Sequence, residues 1–102
     1  MRNVYYKPLV RWELVDEIIL LAEPHEKEEV TKLVMGSLDH IVMETILLHL
    51  AKEHHEEFLE LCHERYHDET LLDWAGEKAE GVQEAIRLAI RETKSSIRKL
   101  LE

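Results

Sequence analysis

The stretch His63-Glu64-Arg65-Tyr66-His67 carries the sharpest chemical pattern in this 102-residue chain. On a helix, two histidines four apart share a face and can grip Zn²⁺, and the intervening glutamate can activate a bound water. A second pattern draws on more of the seven histidines. Glu60 stands three residues before His63, the carboxylate–histidine spacing of iron sites in helical bundles. Glu60, His63 and His67 are therefore the candidate ligands for zinc or iron. His40 and Glu44, four apart on a preceding segment, are available to extend the set.

The surrounding residues argue for a blander reading. The zinc-protease families that the pentapeptide resembles prefer uncharged residues inside the motif and an apolar residue two positions after it. Here those places hold Arg65 and Glu69, and the extended form with a further Gly and His is missing. Winding the segment at ~100° per residue puts His63 and His67 on one face with Glu56 and Glu60, opposite Phe58, Cys62 and Tyr66. Such a face is solvated. His40-x-x-x-Glu44 followed by His63-x-x-x-His67 looks like part of the hemerythrin ligand pattern, but no His follows His67 to close it. Ferritin-like sites need a Glu from each of two helices plus two Glu/His pairs, more than one chain obviously supplies. The pentapeptide is read as a chance match in a His- and Glu-rich chain, and no enzyme activity is assigned.

Other candidates are weaker in chemistry. Arg87, Arg91, Lys94 and Arg98 form a line that can track phosphates along a nucleic acid, or simply edge a helix paired with acidic groups or water. The aromatics Tyr5, Tyr6 and Trp12 suit either an anchoring arm at an interface or the core. Thr45 and His49 fall within an apolar arc, where a hydrogen-bonded core histidine is the simplest account. Cys62, on an apolar face, reads as a small core residue rather than a reactive thiol. There is no Gly-rich phosphate loop, nucleophile elbow or paired-Cys zinc site.

These residues must be positioned by helices. The chain is 45% hydrophobic and 34% charged, with only three Gly and two Pro. It is too apolar for disorder and too poor in turn residues for a many-stranded β fold. The expected fold is a single all-α domain over residues 1–102, a compact bundle of four to five helices with a long central helix. Residues 1–7 read as an irregular or extended arm. A first helix is expected over Leu9–Ala22, with Pro8 in its opening turn. The central helix, Leu33–Ala51, follows an acidic EKEE start at 26–29, where the helix dipole favours carboxylates. A break falls near Lys52–Glu57, and a third helix carries Phe58 to Tyr66. Asp68 is the expected N-cap of a short helix Glu69–Lys78. Gly81 marks the last turn before Val82–Leu101, an amphipathic helix with Val82, Ile86, Ala89, Ile90, Thr93, Ile97 and Leu100 along one side.

The apolar arc of the central helix spans more than half its circumference, which implies burial on several sides. A homodimer or tetramer is expected on that ground, through Leu38, Val42 and Ile46 with Tyr6 and Trp12. The formal net charge of −9 discourages nucleic-acid or anionic-membrane partners. It is unevenly spread, because residues 1–11 carry three basic and no acidic side chains and residues 82–102 five basic against three acidic. The single cysteine, the lack of a signal-peptide pattern and the lack of a run of ~18 apolar residues fit a cytoplasmic protein.

The order of segments also carries a resemblance. A helix reaching Gly36, the run VMETILLHL at Val42–Leu50, the EEFLEL turn and helix at Glu56–Leu61, the LLDWA segment and the closing helix resemble a group of small acidic helical proteins of unknown function from uncultured candidate-phylum bacteria. The likeness spans roughly residues 26–101, and that group usually has a proline where Glu80–Gly81 stands here. It implies a helical architecture and no activity. The function expected is a non-enzymatic structural or interaction protein that self-associates through helix–helix contacts and engages protein partners, with no bound cofactor. A metal-binding helical bundle is the alternative, and a small nucleic-acid-associated factor the weaker one.

Overall fold

Pro24 fixes where the longest helix begins. Glu23 is extended, Pro24–Glu26 makes one 3₁₀ turn, and the chain then winds as a 23-residue α-helix over Lys27–His49. Glu28 and Glu29 lie in its first turn, where their charge meets the exposed backbone N–H groups. It stops at Leu50, which is extended. The computed structural model describes residues 3–101. Among them five α-helices follow in order: α1 Trp12–Leu20, α2 Lys27–His49, α3 His55–Arg65, α4 Thr70–Lys78 and α5 Val82–Leu101. No strand occurs among the described residues, so the all-α bundle with a long central helix is the fold.

The spine is the pair α2 and α5, the most extensive helix–helix contact in the molecule. On α2, Val30, Val34, Leu38, Val42 and Ile46 are all buried. Their spacing of four keeps them on one stripe as the helix winds. On α5, Val82, Ile86, Ile90 and Ile97 make the matching stripe. Met35, Ile41, Met43 and Leu47 pack half-buried beside the α2 stripe. Burying a branched aliphatic side chain stabilises by about 1.5–3 kcal/mol, so these two stripes carry much of the fold.

The irregular segment at residues 3–6 and the turn after it send Val4, Tyr5, Tyr6, Leu9 and Val10 into the core, while Asn3, Lys7 and Pro8 stay exposed. Val4, Tyr5 and Tyr6 are buried, and the Tyr5 amide donates to the Tyr66 carbonyl at 2.8 Å. Pro8 does sit in an opening turn, but that turn is a separate 3₁₀ element, Lys7–Leu9. Val10 and Arg11 are extended, so α1 starts at Trp12 rather than Leu9. The reason is burial: Leu9 and Val10 turn into the core, which a continuous helix from Pro8 would not allow for both along with Val15 and Ile18.

The polar KEHHEE stretch does bend the chain. Lys52–His54 forms a 3₁₀ turn, and α3 follows from His55. Phe58 on α3 stacks on Trp74 of α4, their rings 6.1 Å apart and nearly parallel. The helix α4 starts at Thr70 with Glu69, not Asp68, at its cap position, and Asp68 supports it from one residue further out, its Oδ1 accepting the Thr70 N–H at 2.9 Å. That bond holds the Asp68 carboxyl below its usual range. Gly81, at φ +78°, turns the chain from α4 into α5. Only glycine adopts that backbone readily.

Candidate functional site

The candidate metal ligands are not drawn together. Glu60 and His63 are exposed on α3, and His67 lies just past its end with Nδ1 hydrogen-bonded to the Asn3 carbonyl. That bond ties the N-terminal segment to the α3–α4 turn and occupies the nitrogen. His40 and Glu44 pair with each other on the outer face of α2, 3.2 Å apart. Among the described residues, no three His, Cys, Asp or Glu side chains are grouped so that they could hold a metal ion.

The expected interface residues are placed differently again. Leu38, Val42, Ile46 and Tyr6 are fully buried within the single chain, and Trp12 is half-buried against the core. Leu38, Val42, Ile46 and Tyr6 cannot present themselves to a partner while the chain is folded, so those four are corrected to core, whereas Trp12 keeps part of its surface accessible. The chain covers this part of α2 itself because α5, α1 and the N-terminal segment all reach it. Thr45 is buried and its hydroxyl donates to the Ile41 carbonyl, as an apolar-arc position requires. His49, by contrast, lies on the exposed side and bonds to the Thr45 carbonyl at 2.9 Å.

Tyr5 and Tyr6 open onto a polar cluster that sequence reasoning missed. The Tyr6 hydroxyl donates to Oδ1 of Asp39, and Tyr66 is held against the same carboxylate. Tyr5 packs edge-on against both Tyr6 and Tyr66 and meets Cys62. Burial pushes all three phenols well above their ordinary range, and the Asp39 carboxylate adds to this for Tyr6 and Tyr66. The Cys62 thiol is pushed up to about 11 by burial, so it stays protonated and poorly nucleophilic at neutral pH. The cluster locks residues 4–6 to α2 and α3. The one signal in the sequence was an acid, Asp39, next to Leu38 on the apolar arc of the central helix.

The basic line does gain a surface of its own. Arg87, Arg91, Lys94 and Arg98 of α5 line one wall of a cleft of about 420 Å³, and Arg11 stands on the opposite wall. Leu9, Val10, Leu14, Ile18 and Ile90 complete the lining. Lys94 is only 7% exposed and follows Ile90 by one turn, inside the stripe that faces the core. Burial, the Arg11 charge and the Arg91 charge hold its ammonium below the usual lysine range, against a smaller opposite effect of Glu13. Arg11 pairs with Glu13 at 3.4 Å and Arg87 with Glu84 at 2.6 Å, both at the exposed edge. Among the described residues, no carboxylate lies within 4.0 Å of the Arg91 or Lys94 nitrogens.

A second surface is apolar. Leu33, Gly36, Ser37, His40 and Ile41 of α2, with Lys32 and Thr93, line a shallow groove on the far side of the α2–α5 pair. Leu33 is 53% exposed, and Leu48, two turns beyond Ile41, is 75% exposed. A side-chain carbon added at Gly36 would meet nothing within 4 Å. Among the described residues, no helix is long and apolar enough to cross a membrane. Comparison with protein families, with characterised proteins and with solved structures finds no match to this chain.

Proposed function

We propose that this chain is a non-enzymatic helical interaction protein that self-associates through the outer face of α2. The supporting observation is the groove around Gly36, flanked by the exposed Leu33 and the half-buried Ile41, with the exposed Leu48 further along the same helix. A lone exposed leucine needs no explanation, whereas apolar groups lining a common groove favour a partner. Gly36 and Ser37 at its centre let a second helix approach closely, because they place almost nothing between the backbones. The second helix is taken to be the same face of another copy. That face carries both signs of charge, Lys32 against Glu28 and Glu44, and so can complement itself across a two-fold axis.

Native mass spectrometry of the untagged chain over a dilution series tests this reading. A dimer is expected that dissociates on dilution, and Leu33→Glu is expected to give monomer with an unchanged helical circular-dichroism spectrum. A wild-type chain that stays monomeric at every concentration, or a dimer indifferent to Leu33→Glu, rejects it.

A further inference from the structure

The cleft between α1 and α5 is charged in a way the rest of the molecule is not. The chain as a whole is at −9, yet Arg11, Arg87, Arg91, Lys94 and Arg98 line this cleft, and among the described residues no carboxylate lies within 4.0 Å of the Arg91 or Lys94 nitrogens. Convergence of like charges costs free energy, and partly desolvating the Lys94 ammonium beside Arg11 and Arg91 adds to that cost. An anion bound between the walls removes both costs. Guanidinium groups suit this task because their fixed forks match the oxygens of phosphate or carboxylate in pairs.

We propose that this cleft binds a small organic phosphate, a phosphate ester carried on an apolar body. Three observations select that class. The first is charge: a phosphate monoester carries about −1.5 to −2 at pH 7, which answers the surplus of cations better than a single carboxylate. The second is the lining, because Leu9, Leu14, Ile18 and Ile90 offer apolar surface beside the cations, which inorganic phosphate would leave unused. The third is size, since about 420 Å³ falls within the range of small-molecule sites. A long nucleic acid fits less well. Beyond the cleft it would run over an acidic body and be repelled there.

A free organic phosphate and the phosphate headgroup of a lipid present the same chemistry, and the test separates them. Isothermal titration calorimetry on the full chain uses inorganic phosphate, phenyl phosphate and hexyl phosphate. Sedimentation uses phosphatidylcholine vesicles with and without phosphatidic acid. The variants are Lys94→Met, which keeps the buried stem and removes the charge, and Arg91→Gln at an exposed position. Both are expected to melt no earlier than the parent chain, so loss of binding is separable from loss of fold.

The soluble esters are expected to bind more tightly than inorganic phosphate, and each variant to weaken them by roughly 10–100-fold, the usual worth of a charge-assisted hydrogen bond. Binding only to phosphatidic-acid vesicles, weakened by the same variants, supports the lipid source. The proposal is overturned if no probe binds, if binding ignores both variants, or if a single-stranded oligonucleotide or an acidic peptide binds more tightly than any phosphate ester. It stands apart from self-association, because the cleft and the α2 groove lie on different faces of α5 and Leu33→Glu leaves the cleft residues in place.

Discussion

Asp39 shows how much one residue can hold at the level of side chains. It accepts from Tyr6, faces Tyr66, and so joins the N-terminal segment to α2 and α3. Tyr6→Phe is expected to destabilise the fold by about 1.5–3 kcal/mol, since a half-buried carboxylate loses its donor. Chemical denaturation measures this, and pairing it with Asp39→Asn gives an interaction energy rather than two separate losses. The phenols make a second prediction. All three tyrosines have raised pKa values, so the folded chain keeps protons that the unfolded chain releases near pH 10. Their stabilisation is complete below that pH and is lost as alkali is added beyond it. In an alkaline titration, phenolate absorbance is therefore expected to rise together with the loss of helical circular dichroism. A gradual rise centred near pH 10 with the helices intact would contradict it. Asp68 acts in the opposite pH direction. Its lowered carboxyl stabilises α4 above the ordinary aspartate range and ceases to do so as acid protonates it.

At the scale of elements, the α2 stripe is core, and that changes what its mutations should do. Leu38→Ala is expected to cost about 2–5 kcal/mol of folding stability through the cavity it leaves. A loss of that size in denaturant melts at low protein concentration would distinguish core from interface, because an interface residue would change the subunit count first. Two glycines give a matched contrast. Gly36 is helical and open, so Gly36→Ala is expected to stabilise the monomer by about 0.5–1 kcal/mol. Gly81 sits at positive φ, so Gly81→Ala is expected to destabilise by about 1–2 kcal/mol although its side chain would meet nothing. The helices were legible because their signals are local. Periodicity, Pro24, the polar 52–57 stretch and the Asp68 bond to the Thr70 N–H all act within a few residues. The start of α1 was not legible, because Val10 and Arg11 are held extended by what Leu9 and Val10 bury against.

As a whole, the molecule measures 44 × 23 × 19 Å, with α2 and α5 as its spine. Two faces of that spine carry the proposed contacts. One is the apolar groove of α2, where the self-association test applies. The other is the cleft of α5, where the cations of the two chain ends meet. Their charge had been visible along the sequence as basic ends on an acidic body. Raising ionic strength is expected to weaken ligand binding in the cleft, because the Debye length shortens, and to leave the apolar contact of α2 unweakened or strengthened. Binding isotherms and subunit counts at two salt concentrations check both directions.

By itself the sequence determined the all-α class, the long central helix and the bend near residue 52, since each follows from residues close together in the chain. It also set the solvated character of Glu60 and His63, because helical winding alone puts them opposite Phe58 and Cys62, whereas His67 lies beyond the end of α3. Tertiary structure decided the rest. Which side of α2 is left uncovered depends on where α1, α5 and residues 4–6 pack, so the stripe first read as an interface became core. Asp39 found Tyr6 across the fold, and Arg11 came to face Lys94 from the other end of the chain. Contacts between residues far apart in sequence leave no periodic trace, and those contacts make the cleft.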